Sequence, residues 1–238
     1  VRISRALLLT RKEWTESFNV PTPYIAMVLF FVIMGWLFTG SLFLLGQASL
    51  DEFLTPLPLL LSVFLPAFTM RLFAEEYKTG TVETLVTLPL EDTEIVLGKF
   101  GAALAVWGTM LGLSLVYPAL LIAAGPPDLG QAAAGYLGAL LLGVFYAALG
   151  LFASSLTRSQ VVGFLFGFLM CFVFFLIGQS AEYLPGLAGQ LLSYLGVDRH
   201  YRSFLRGVVD TRDVLYFLSG TVLALAGTLA SFNSRRWR

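Results

Sequence analysis

The stretch SQVVGFLFGFLMCFVFFLIGQSA, residues 159–181, contains no Asp, Glu, Lys or Arg. A continuously apolar run of this length can cross a bilayer core as one helix, which needs about 20 residues. A single charge at the centre of such a helix costs about 2.5–3.5 kcal/mol, so charge-free runs this long seldom arise by chance in soluble domains. Outward from it in both directions, five more runs share the property: residues 17–50, 53–70, 100–127, 129–157 and 214–234. None alternates polar with apolar residues as the strands of a membrane barrel do. The expected fold class is therefore an all-α integral membrane protein of six spans, with cores near 24–46, 57–73, 99–123, 133–155, 160–180 and 215–233.

The rest of the composition agrees. Hydrophobic residues make up 57% of the chain and charged residues 13%, about half the charged share of a soluble domain. Mean hydropathy is +0.81. In 238 residues, six spans leave no room for a sizeable soluble domain, so 1–238 reads as a single transmembrane domain. The formal charge is zero and no basic surface is clustered, which leaves no basis for nucleic-acid binding. Cys171 is the only cysteine and His200 the only histidine. Neither has the neighbours a metal site needs, and Cys171 among Phe, Val and Leu reads as apolar filler.

Orientation follows from the basic residues. An even number of spans puts both termini on one side, with Arg2, Arg5, Arg11, Lys12, Arg71, Lys78, Lys99, Arg158, Arg235, Arg236 and Arg238. The first two linkers on the other side carry no Lys or Arg, so the positive-inside rule places both ends in the cytoplasm. Residues 182–213, assigned outside, run against the rule through Arg199, Arg202, Arg206 and Arg212.

Three polar segments carry what chemistry there is, because the span cores offer no ionisable group for proton or ion coupling. Residues 1–22 place Ile3, Ala6, Leu7, Leu8 and Trp14 against Arg5, Arg11, Lys12 and Glu16 at helical spacing. This reads as an amphipathic interfacial helix closed by Asn19 and Pro21, too mixed in charge for a cleavable signal peptide. Residues 74–98 lie in the linker RLFAEEYKTGTVETLVTLPLEDTEIVLGK (71–99), which holds Glu75, Glu76, Glu83, Glu91, Asp92 and Glu94. Here the second span is expected to run on to Lys78 and stop at Gly80. A short helix from Thr81 to Thr87 follows, then a break at Pro89 and a re-entry helix capped near Asp92 or Thr93. In residues 182–213, a run from Tyr183 to Val197 too short to span reads as re-entrant or interfacial. Beyond it an amphipathic stretch sets Arg199, Arg202 and Arg206 on one side, with Asp198 spaced to pair with Arg202 and Asp210 with Arg206. These arginines read first as local ion pairs, and alternatively as contacts for an anionic substrate or lipid headgroups. Gly135, Gly138, Gly143, Ala147 and Gly150 form a small-residue stripe suited to close helix packing in the fourth span.

The pattern E-E-Y-K-T-G-T-V-E-T-L-V-T-L-P from Glu75 to Pro89, followed by Gly98 and Lys99, resembles the intracellular signature of type-2 ABC exporter permeases. In that family the helix after the Gly-Thr pair is a coupling helix that contacts a nucleotide-binding subunit. The resemblance implies ATPase coupling through Glu75, Glu76, Gly80, Thr81, Val82, Glu83, Leu85 and Val86, with Glu75 and Glu76 bracing that helix against the N-terminal one. It further implies a separate ABC ATPase holding ATP and Mg, a second permease subunit, no cofactor on this chain, and a bacterial inner-membrane location. The wording LSYLGVDRHYRSFLRGVVDTRDVLYFLS (192–219) is similar to the gliding-motility-associated branch. The chain lacks the G-x-x-x-x-G-K-[ST] phosphate loop, so no ATPase activity of its own is expected.

Two other readings stand beside this one. A membrane glutamate protease with an E-E-x-x-x-R motif would need Arg where Gly80 stands, together with further histidines. A channel or non-transporting scaffold would have no ATPase partner.

Overall fold

The computed structural model describes residues 3–45, 51–82, 90–124, 128–180 and 186–236. Among these, all regular structure is helical: α1 (Ile3–Phe18), α2 (Pro21–Leu45), α3 (Asp51–Leu54), α4 (Leu57–Thr69), α5 (Arg71–Thr79), α6 (Asp92–Ser114), α7 (Val116–Ala124), α8 (Leu129–Ser155), α9 (Gln160–Ser180), α10 (Leu187–Leu195), α11 (Val197–Leu205) and α12 (Thr211–Arg236). Six stretches of the described residues are long and apolar enough to cross a membrane: Pro21–Gly40, Leu57–Thr79, Asp92–Ile122, Leu129–Ser155, Gln160–Ser180 and Thr211–Ser234. The chain is a multi-pass, all-α membrane protein.

The bundle is organised around α8. Its most apolar window is 78% buried, against 22% for the windows of α9 and α12, so α8 is the axis and the others present apolar faces outward. Trp36, Leu223 and Val222 are among the large exposed apolar side chains, as lipid contact requires. Small residues make the central position possible. A Cβ at Gly138 would lie 2.6 Å from Phe204 Cβ, and one at Gly135 would lie 2.5 Å from Leu54 Cδ1. Added Cβ atoms at Gly143 and Gly150 would collide with Trp107 and Thr69. The glycine stripe is thus helix-packing surface, and Cys171 is buried within the same core.

The second span turns at Met70, between α4 and α5. Pro66 lies inside α4 and removes a backbone donor, and the helix ends with Met70 N–H donating to Pro66 O at 2.8 Å. Ser154 of α8 bridges the break. Its hydroxyl donates to Met70 O at 2.9 Å and accepts the backbone N–H groups of Phe73 and Ala74 at 3.1 and 3.2 Å. One buried side chain therefore joins α4, α5 and α8. The third span, expected near 99–123, is one apolar stretch over Asp92–Ile122 with a single turn residue, Leu115, between α6 and α7.

Both ends of the described chain gather at one end of the bundle: the Phe232 ring near the end of α12 lies 5.7 Å from that of Phe73 in α5, and α1 packs along α6. At the other end, α10 and α11, nine residues each, are too short to span. Tyr201 Oη donates to Leu54 O at 3.0 Å and Gln131 Nε2 to Leu205 O at 2.8 Å, which fixes α11 across the start of α8. His200 is buried between Asp213 Oδ1 (Nδ1, 2.7 Å) and Tyr194 O (Nε2, 2.9 Å), stacked on the Tyr216 ring. Asp198 pairs with Arg202 at 2.7 Å as expected. Asp210 does not pair with Arg206: its carboxylate accepts the Arg212 backbone N–H at 2.9 Å, because a carboxylate just ahead of α12 is better placed to serve unpaired helix N–H groups.

Candidate functional site

The site lies where the second span leaves the bundle and the third returns. α5 stops at Gly80, which takes the left-handed conformation at φ 75°, a geometry glycine adopts at little cost. Thr81 follows, exposed, with its hydroxyl 2.9 Å from that of Thr79. Val82 is half-buried against the core. Of the predicted contact helix Thr81 to Thr87, residues 83–87, including Glu83, Leu85 and Val86, lie outside the described residues. The chain re-enters at Asp92 with Glu91 as the N-cap, one residue earlier than expected. Glu94, three residues into the helix, accepts the Glu91 backbone N–H at 3.1 Å through Oε2, half of a capping box.

Just inside this gateway, Lys99 is completely buried and bridges two helices. Its Nζ donates to Glu76 Oε1 of α5 at 2.6 Å and to Glu13 Oε1 of α1 at 3.1 Å, and it lies 5.3 Å from the centre of the Phe73 ring. The local sequence explains the approach. A Cβ at Gly98 would lie 2.7 Å from Leu9 Cδ2, and one at Gly101 2.5 Å from Thr10 Oγ1. Two small residues on α6 therefore let α1 come close, and Thr10 Oγ1 donates to Gly98 O at 3.0 Å. Glu13 sits one turn beyond Leu9 on the same face of α1 and so reaches Lys99. One cation faces two carboxyl groups, and Glu76 Oε2 is buried with no hydrogen-bond partner among the described residues.

Two expectations are corrected here. Glu75 pairs with Arg71 one turn back on its own helix, at 3.0 Å, and not with a residue of α1. Glu76 reaches α1 through Lys99, which it shares with Glu13. The third span also carries an ionisable group: Lys99, the first residue of the expected core 99–123, lies seven residues inside a helix that begins at Asp92. Beside the cluster, a cavity of about 680 Å³ opens between α1, the start of α2 and α4–α5, with Lys12, Glu16, Asn19, Arg71, Glu75 and Thr81 on its wall. Among the described residues no group of His, Cys, Asp and Glu could hold a metal ion.

The sequence profile described as ABC-2 family transporter protein matches residues 7–235, and the chain belongs to that family. It is a membrane permease component of an ABC transporter. No curated protein matches the sequence.

The role of Lys99 was only partly visible in the sequence. The Gly98-Lys99 pair stands out as part of a motif, and Glu13 lies at the right spacing from Leu9, but nothing local says that the two meet. Ser154 gave no sequence signal at all, because a serine late in an apolar helix looks like any other small residue.

Proposed function

We propose that this chain is the membrane-spanning subunit of an ATP-driven exporter, that a separate ATPase docks on the connection between α5 and α6, and that it works as a dimer with the same or a related permease. The observation that carries this reading is the Lys99 cluster. It ties both flanks of the connection to α1, so a push on residues 80–91 would move α1, α5 and α6 together instead of bending one loop. ATP and Mg belong to the partner, and this chain's contribution is mechanical: α1, α5 and α6 shift as a unit and change the packing between the two permeases, an alternating-access switch. The termini and the connection then face the cytoplasm, and the wording of residues 192–219 supports placement near the gliding-motility-associated permeases of bacterial inner membranes.

The test is affinity purification of the tagged chain in mild detergent, with ATP hydrolysis measured on what accompanies it. An ATPase is expected to copurify, and Leu85→Ala or Glu83→Ala should reduce its recovery about tenfold or more if these side chains anchor the contact. Purification free of any ATPase, or recovery unchanged in both variants, would overturn the reading.

A further inference from the structure

The end of the bundle opposite the termini carries a second cavity, of about 570 Å³, that the transport reading does not use. Three arginines of the α11 region line it, Arg199, Arg202 and Arg206, with Asp198 the only acid lining it among the described residues. Arg199 and Arg202 share one face of the helix, and Arg206, the residue that closes it, lines the same cavity. Arg202 Nε is held by Asp198 Oδ2 at 2.7 Å, and Arg199 Nη1 donates to Ser193 Oγ at 3.1 Å. Arg206 has no side-chain partner among the described residues. Three guanidinium groups against one carboxylate leave an excess of two positive charges, two of the three already aimed by neighbours. Gly178, Gly186 and Gly189 contribute walls without side chains, leaving room for a headgroup to approach the backbone.

The other half of the argument is α10. Gly186, Gly189, Gln190 and Ser193 face the cavity, while Leu187, Leu191, Tyr194 and Leu195 are all more than half exposed. One helix thus sets a polar face on the cavity and an apolar face beside it, the arrangement of a helix lying at the membrane interface. A ligand that fits both has a compact anionic head and acyl chains.

We infer that this cavity binds the phosphodiester headgroup of an anionic phospholipid, with Arg199 and Arg206 as the principal contacts and the exposed face of α10 along the acyl chains. Guanidinium is suited to phosphate because it offers paired N–H donors in a fixed plane. The site does not depend on the transport reading.

Binding is measured on the purified full chain in neutral detergent, by native mass spectrometry and calorimetry, with dioctanoyl phosphatidylglycerol, dioctanoyl phosphatidylcholine and inorganic phosphate as probes. The phosphatidylglycerol is expected to bind more tightly than the other two, and Arg199→Gln with Arg206→Gln to weaken it about tenfold or more, as loss of charge-assisted hydrogen bonds implies. Arg206→Gln alone, which removes an exposed side chain with no partner among the described residues, should show part of the loss in a protein that melts as wild type does. Arg158→Gln, at the opposite end, should change nothing. Affinity within twofold of wild type in the double variant, or an equal loss in Arg158→Gln, overturns the site. Inorganic phosphate binding as tightly as the lipid overturns the lipid assignment and leaves a soluble phosphate as the ligand.

Discussion

Replacing Lys99 by Met keeps most of the side-chain volume and removes the charge. The side chain is fully buried, while those of Glu13 and Glu76 are 10% and 19% exposed. The substitution therefore strands two carboxylates, one nearly and one mostly withdrawn from water, with no cation between them. Breaking a buried ion pair by deleting one partner costs about 3–5 kcal/mol. Since Glu76 keeps some access to water, the low end applies, about 3 kcal/mol. For a chain of this size that is a fall of about 6–12 °C in apparent melting temperature, readable by fluorescence-detected size exclusion after heating in detergent. The companion variant removes every charge at once: Glu13→Gln, Glu76→Gln and Lys99→Met together. A buried ion cluster replaced as a whole is often near neutral in stability, so the triple variant should recover most of the loss while failing to transmit ATP-driven movement. If Lys99→Met melts within 2 °C of wild type (about the smallest shift expected for 1 kcal/mol), or if the triple variant falls as far as the single one, the cluster does not hold these helices together.

Two further perturbations probe the frame around the site. Ser154→Ala removes one donor and one acceptor shared by three backbone groups at the break in the second span, and should lower stability by about 1–3 kcal/mol, read as a lower melting temperature and faster amide exchange at Phe73 and Ala74. Gly138→Ala would push against Phe204 and cost about 1–3 kcal/mol, whereas Gly108→Ala, with open space around it, should stabilise by up to about 1 kcal/mol; melting curves of the two variants should move in opposite directions.

The six spans were legible because exclusion of charge from a bilayer is a strong, local and additive signal. The stop at Gly80 was legible for a related reason: one residue type meets the conformational demand. What escaped the sequence was pairing. Arg71 was counted as an orientation marker, yet it occupies Glu75, while Lys99, counted the same way, is the buried centre of three helices. Spacing arithmetic found the Asp198–Arg202 pair within one helix but failed for Asp210 and Arg206, where the helix had ended and backbone N–H groups competed for the carboxylate. The amphipathic helix expected over residues 1–22 runs from Ile3 to Phe18, but the side it buries holds Leu9 and Glu13, whereas Leu7, Leu8 and Trp14 of the expected apolar side are exposed; Lys99 makes a buried carboxylate acceptable there.

If a separate ATPase presses on the connection after Gly80, a crosslinker placed there reaches it. Thr81 is exposed at the start of the connection, and the sole native cysteine is buried, so Thr81→Cys can be labelled selectively with a maleimide photocrosslinker in membranes containing the whole transporter. Illumination should join this chain to an ATP-binding polypeptide, and the same label on Arg206→Cys should not. A crosslink from Arg206→Cys but not from Thr81→Cys, or none to any nucleotide-binding protein from either, would contradict the account.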